Sequence, residues 1–143
     1  MSVNLLRYAG TYTATILGIM VLAYVLDAFV GVPFPKGVGT VLPTLVASML
    51  EGQFYARKHG AVLSKGDAWR AAFAMTAVVA VLNIALMAAL MLMPGVAEML
   101  GSLSIALWVG ILVFLLGIVL LVNRFFLGFG ARNELKAAAR RVK

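Results

Sequence analysis

Apolar residues along the chain fall into four long runs, with the polar residues gathered between them. The first run holds from about Tyr8 to Val32 and is broken only by Asp27. It predicts a span at 8–32, and the later runs predict spans at about 38–57, 69–93 and 102–123, followed by a basic tail at 124–143. These lengths suit a helix crossing a hydrocarbon core, which needs roughly 20 apolar residues. The punctuation agrees with the runs. Pro33, Pro35 and Gly37 stop the first, and Pro94 with Gly95 stops the third. Gly60 ends the second in the manner of a helix C-terminus. Ser64, with Asp67 three positions on, is a variant of the capping box that opens the third, and Trp69 follows where an interfacial tryptophan belongs. The first run is too long for a signal-peptide core and is read as a retained span. The pattern therefore predicts one transmembrane domain over 1–143, an all-α integral membrane protein. Short connections favour antiparallel neighbours and so a four-transmembrane-helix up-down bundle.

The few polar positions inside the runs are informative because each is costly there. On a helix, Thr40, Thr44, Ser48 and Gly52 share one face, with Glu51 and Tyr55 beside it. Small and hydroxyl side chains let another helix approach and offer it hydrogen bonds, so this face should point at protein. A carboxylate costs roughly 2.5–3.5 kcal/mol at the bilayer centre. Glu51 lies only about two turns from Arg57, Lys58 and His59, hence nearer one surface. It reads either as a proton or ligand site or as a structural carboxylate paired with a base, and the shallow depth favours the second. Arg7 and Arg124 are the bases that an up-down bundle brings near it. Asn83, mid-way along the third span, reads as interhelical glue worth about 0.6 kcal/mol. Gly10, Ala14 and Gly18 form a small-residue stripe on the first span and predict a helix contact. Pro43 predicts a kink in the second. Asp27 and Lys36 suggest a loose surface pair worth at most about 1 kcal/mol.

Composition sharpens this reading. The chain of 143 residues is 64% hydrophobic and 12% charged, more apolar surface than a soluble core of this size can hide. It has no cysteine and a single histidine, His59, which excludes disulfides, thiol catalysis and a multi-histidine metal site within one chain. The formal charge of +7 would suggest nucleic acid in a soluble protein. Here all 12 Lys and Arg residues except Lys36 fall at the N-terminus, in the second connection or in the tail. That bias places both termini in the cytoplasm, and the expected partners are the lipid bilayer and its headgroups rather than nucleic acid. Arg132, Lys136 and Arg140, spaced by four, can line one face of a short helix, where basic residues are drawn to anionic lipid at about 1 kcal/mol each. Nothing resembles a nucleophile–base pair, a metal set or a phosphate loop, and Gly128-x-Gly130 alone is too weak to count. A haem on His59 would need a second ligand from a partner. No cofactor and no enzymatic activity are expected.

Two stretches carry a resemblance. Glu51-Gly-Gln-Phe-Tyr-Ala-Arg-Lys-His-Gly60 followed by Ser64 to Trp69, and the later Gly128-Phe-Gly-Ala-Arg-Asn133, resemble a family of small uncharacterised four-helix bacterial inner-membrane proteins. The resemblance implies a multi-pass protein of that membrane and brings no assigned activity. The function expected is that of an accessory, assembly or structural component packing against itself, as a homo-oligomer, or against a larger membrane complex. The alternative is a small proton-coupled transporter using Glu51. Small multidrug-resistance transporters are similar in having four helices and one essential glutamate, but theirs lies in the first helix, and their antiparallel dimers depend on a weak charge bias.

Overall fold

The structure is a computed structural model that describes residues 3–32, 38–92 and 104–141. The turns expected at Pro33, Pro35 and Gly37 and at Pro94 and Gly95 lie outside the described residues. So do Lys36, Met93 and the side chain of Thr40. All regular structure among the described residues is helical.

Helix α1 spans Leu5–Val25 and continues as a π-helical turn over Leu26–Val30. Asn4 caps it, its side chain accepting from the Arg7 N–H at 3.1 Å, which satisfies one of the free donors of the first turn. Gly31 ends the segment at a φ of 67°, a left-handed conformation that glycine adopts without strain. Asp27, within the π turn, is exposed. Helix α2 spans Val38–His59 and runs on through Pro43. Gly60, at a φ of 61°, closes it, donating to the Ala56 carbonyl at 2.8 Å.

Helix α3 spans Lys65–Leu90. Its cap is reciprocal: Asp67 N–H donates to Ser64 Oγ at 3.2 Å, and Ser64 Oγ donates to Asp67 Oδ2 at 2.8 Å. Leu63 and Ala68, one residue before the cap and four after it, are both buried in the core, the positions of a hydrophobic staple. Helix α4 spans Ile105–Arg141. At about 1.5 Å per residue it is about 55 Å long, well beyond a hydrocarbon core of about 30 Å. The tail is thus the second half of one continuous helix, where the sequence suggested a separate short one.

The most extensive helix contact is between α2 and α4. Helix α1 packs on α2, α3 packs on α4, and α1 also touches α3. The N-terminal ends of α1 and α3 lie with the C-terminal halves of α2 and α4, so α2 and α4 run parallel. Three segments are long and apolar enough to cross a membrane: Leu5–Val30, Lys65–Leu90 and Ile105–Arg141. The expected second span is not among them. Helix α2 gives up apolarity to Thr44, Ser48, Glu51, Arg57 and Lys58, and it is the most enclosed helix. Its Thr44, Ala47, Ser48, Glu51, Gly52 and Ala56 are all buried.

The bundle buries a few polar side chains within a mostly apolar core, and it is apolar on the outside as well. Tyr8, Ser48 and Asn123 are fully buried. Leu17, Met20, Val21, Phe73, Val81, Ile84, Val113 and Phe114 are all exposed. Such a continuous apolar exterior is an aggregation hazard in water and the ordinary condition of a bundle in lipid.

Candidate functional site

Helix α2 brings its carboxylate against the start of α1. Arg7 Nε donates to Glu51 Oε1 at 2.5 Å, and Arg7 Nη2 donates to Oε2 at 2.8 Å. The Asn4 backbone N–H reaches Oε2 at 3.3 Å. The guanidinium therefore grips both oxygens, the geometry in which arginine pairs most strongly. Glu51 is 2% exposed, whereas the Arg7 side chain is 38% exposed. The pair thus has one deeply buried and one open member. Arg7 also lies over the Phe54 ring at 4.0 Å, and Arg57 lies over it from further off at 5.8 Å.

A close crossing of α2 and α4 sits beside the ion pair. A Cβ added to Gly52 would collide with the Leu127 carbonyl oxygen, and one added to Gly130 would collide with that of Met49. The two glycines admit each other's helix backbone, the role small residues play where helices meet in lipid. One turn on, Arg57 closes the contact. Its Nε lies 2.8 Å from Glu134 Oε1 and its Nη2 donates to Oε2 at 3.1 Å. Glu134 lies about three turns beyond the apolar part of α4, which ends near Val122. The Arg57 hydrogen bonds hold its carboxyl below the usual carboxylate range.

A second polar group links the other helices. Tyr8 Oη donates to Asn123 Oδ1 at 2.8 Å, and Asn123 Nδ2 donates to Thr76 Oγ1 at 3.2 Å. Asn83 Nδ2 donates to Tyr12 Oη at 3.1 Å and to the Val79 carbonyl at 2.8 Å. Tyr8 and Tyr12 are stacked with centroids 6.3 Å apart. Helices α1, α3 and α4 are thereby joined through side-chain amides and phenols.

The residues singled out in the sequence are distributed unevenly. Thr44, Ser48, Glu51 and Gly52 form one buried stripe on α2. Ser48 Oγ donates back to the Thr44 carbonyl at 2.7 Å, while Thr44 Oγ1 is buried with no partner among the described residues. Tyr55 is half-buried and stacks on His59 at 4.3 Å. Arg124 does not pair with Glu51. It stands on the α3 side of α4, with its guanidinium 5.5 Å over the Trp69 ring, and Arg7 takes the carboxylate instead. The expected contact through Gly10, Ala14 and Gly18 is not made among the described residues. All three are exposed, and a Cβ on either glycine would meet nothing within 4 Å. The reason is that α1 turns its Tyr8–Tyr12 face inward. Arg132, Lys136 and Arg140 lie on the extended half of α4, and all three are exposed.

The sequence reading missed the parts played by Asn4, Tyr8, Tyr12, Thr76 and Asn123. Two signals were available: an Asn one residue before an apolar run is a helix cap, and tyrosines four apart share a helix face.

Among the described residues no group of acids and histidines could hold a metal ion. The polar side chains are arranged to join helices, and the fold and its apolar exterior define a helical-bundle membrane protein. Comparison with protein-family models, with curated proteins and with solved structures finds no match for the chain.

Proposed function

We propose that this is a non-enzymatic, multi-pass protein of the bacterial inner membrane, with α2 as a fourth span and both termini in the cytoplasm, acting as an accessory or structural component that packs against itself or a larger membrane complex. The carrying observation is that its buried charge is already used in holding the bundle together. Glu51 is bound at both oxygens by Arg7, next to a crossing where Gly52 and Gly130 bring α2 and α4 into backbone contact. A proton carrier must release its proton to alternate sides of the membrane, and a carboxylate clamped by a guanidinium is poorly suited to that. The small-residue stripe of Gly10, Ala14 and Gly18 stays open on the outer face of α1 and is available to another helix.

Topology is supported by charge. Arg7, Arg57, Lys58, Lys65, Arg70 and Arg124 gather at one end of the helices, as the bias toward cytoplasmic Lys and Arg requires. Helix α2 crosses although it is the least apolar, because its polar stripe is covered by α1 and α4.

The test is reconstitution of the wild type and Glu51→Gln into vesicles with a pH gradient. The expected outcome is no proton-coupled flux in either, and a loss of thermal stability in the variant. Flux that is present in the wild type and abolished in Glu51→Gln would replace this reading with the transporter.

A further inference from the structure

At the basic end of the bundle, the start of α1 and the last turns of α2 enclose a cleft of about 360 Å³ lined by Asn4, Arg7, Phe54, Tyr55, Arg57 and Lys58. Three of those six side chains are cationic and none is acidic. Arg7 and Arg57 each spend Nε and Nη2 on a carboxylate, which fixes their guanidinium planes. Their Nη1 groups have no hydrogen-bond acceptor among the described residues. Lys58 is exposed and makes no ion pair among the described residues. Both guanidinium groups lie over the ring of Phe54, an apolar surface 37% exposed. The cleft thus offers prepaid guanidinium orientation, one uncompensated ammonium and an aromatic surface. It opens next to Leu5–Val30, a segment apolar enough to cross a membrane.

We propose that this cleft binds a phosphate group, with Lys58 as the charge that the ligand neutralises and the fixed Arg7 and Arg57 groups as oriented donors. The Phe54 wall and the neighbouring apolar segment favour a phosphate carried on an anionic lipid headgroup over a free one. This site is separate from the basic stripe of Arg132, Lys136 and Arg140 on α4. It differs in kind as well, since a cleft with fixed donors saturates at one ligand, whereas a charged helix face attracts lipid diffusely.

The full-length protein, delipidated in a neutral detergent, would be titrated separately with short-chain phosphatidylglycerol, short-chain phosphatidylcholine and inorganic phosphate, and bound ligands counted by native mass spectrometry. One saturable phosphatidylglycerol per chain is expected, bound more tightly than phosphatidylcholine. Lys58→Gln should weaken it about fivefold, the effect of one basic residue on an anionic surface. Lys58→Arg should retain it, and Lys136→Gln should leave it unchanged. Phosphatidylglycerol binding more tightly than inorganic phosphate identifies a lipid headgroup. Equal binding of the two identifies the bare phosphate group, and the cleft still stands. Equal binding of phosphatidylglycerol and phosphatidylcholine, or equal losses in Lys58→Gln and Lys136→Gln, would overturn the proposal. Because Lys58 touches neither the Glu51 pair nor the α2–α4 crossing, failure here leaves the proposed packing role as it was.

Discussion

Glu51 shows what a single buried charge demands. A carboxylate 2% exposed is tolerable only if its lone pairs are filled, and Arg7 and the Asn4 N–H fill them. Glu51→Gln leaves Arg7 without its counter-charge and should cost about 2 kcal/mol, in the range for hydrogen bonds to charged groups. Arg7→Gln should cost more, about 3–5 kcal/mol, because it leaves a carboxylate that is 2% exposed without its counter-charge, whereas the partly exposed guanidinium left by Glu51→Gln can turn to water. Thermal melting of both single variants and the double variant checks this: the double should be less destabilised than the sum of the singles. The Arg57–Glu134 pair behaves differently because it is exposed. Its carboxyl is held below the usual range, so whatever the pair contributes is complete above the ordinary carboxylate pKa and fades as pH falls through the lowered value. Melting curves of Glu134→Gln and wild type should therefore differ slightly at neutral pH and converge in acid. At this scale the sequence was informative about type and less so about partner. A shallow intramembrane glutamate next to a basic cluster pointed to an ion pair, but the choice between Arg7 and Arg124 depends on which side of α4 faces α3, which spacing within one helix does not reveal.

Helix boundaries were legible because they are set by local chemistry. Gly60 and the Ser64–Asp67 box act within one turn, and their signals are in adjacent residues, whereas the equally local Asn4 cap was passed over. The pairing of helices was harder. The stripe of Thr44, Ser48 and Gly52 pointed toward protein and is buried, whereas the similar stripe of Gly10, Ala14 and Gly18 is exposed. Both stripes are small, and only the competing Tyr8–Tyr12 face, with amide partners on α3 and α4, decides which side of α1 turns inward. The continuity of α4 through Arg124 was missed because a charge at the membrane exit looks like an end, although nothing in Asn123 to Arg132 breaks a helix. These placements predict opposite results for similar substitutions. Gly52→Ala and Gly130→Ala each drive a methyl into a backbone carbonyl and should destabilise by about 1–3 kcal/mol, the usual cost of overpacking. Gly10→Ala meets open space and should leave the melting temperature of the isolated chain unchanged or slightly raised, since alanine is the better helix former. A melting series in one detergent separates the two groups.

The whole molecule is a bundle apolar throughout, with a few polar links within its core, apolar side chains around the outside, and basic residues at one end. That arrangement explains how α2 can be the least apolar helix and still sit at the centre, since neighbours shield what lipid would reject. It also leaves the small-residue stripe on α1 without a contact among the described residues. If packing against another chain is the function, the stripe is where a second helix should lie. Because the chain has no cysteine, a single introduced thiol reports contact without background. The decisive measurement is oxidative cross-linking of Ala14→Cys in the native membrane, followed by the mass of the particle released by mild detergent. The packing account predicts a cross-linked product at this position, none from a thiol placed at exposed Val113, and a particle heavier than the 15.2 kDa chain. A 15.2 kDa monomer with no cross-link at Ala14 would contradict it.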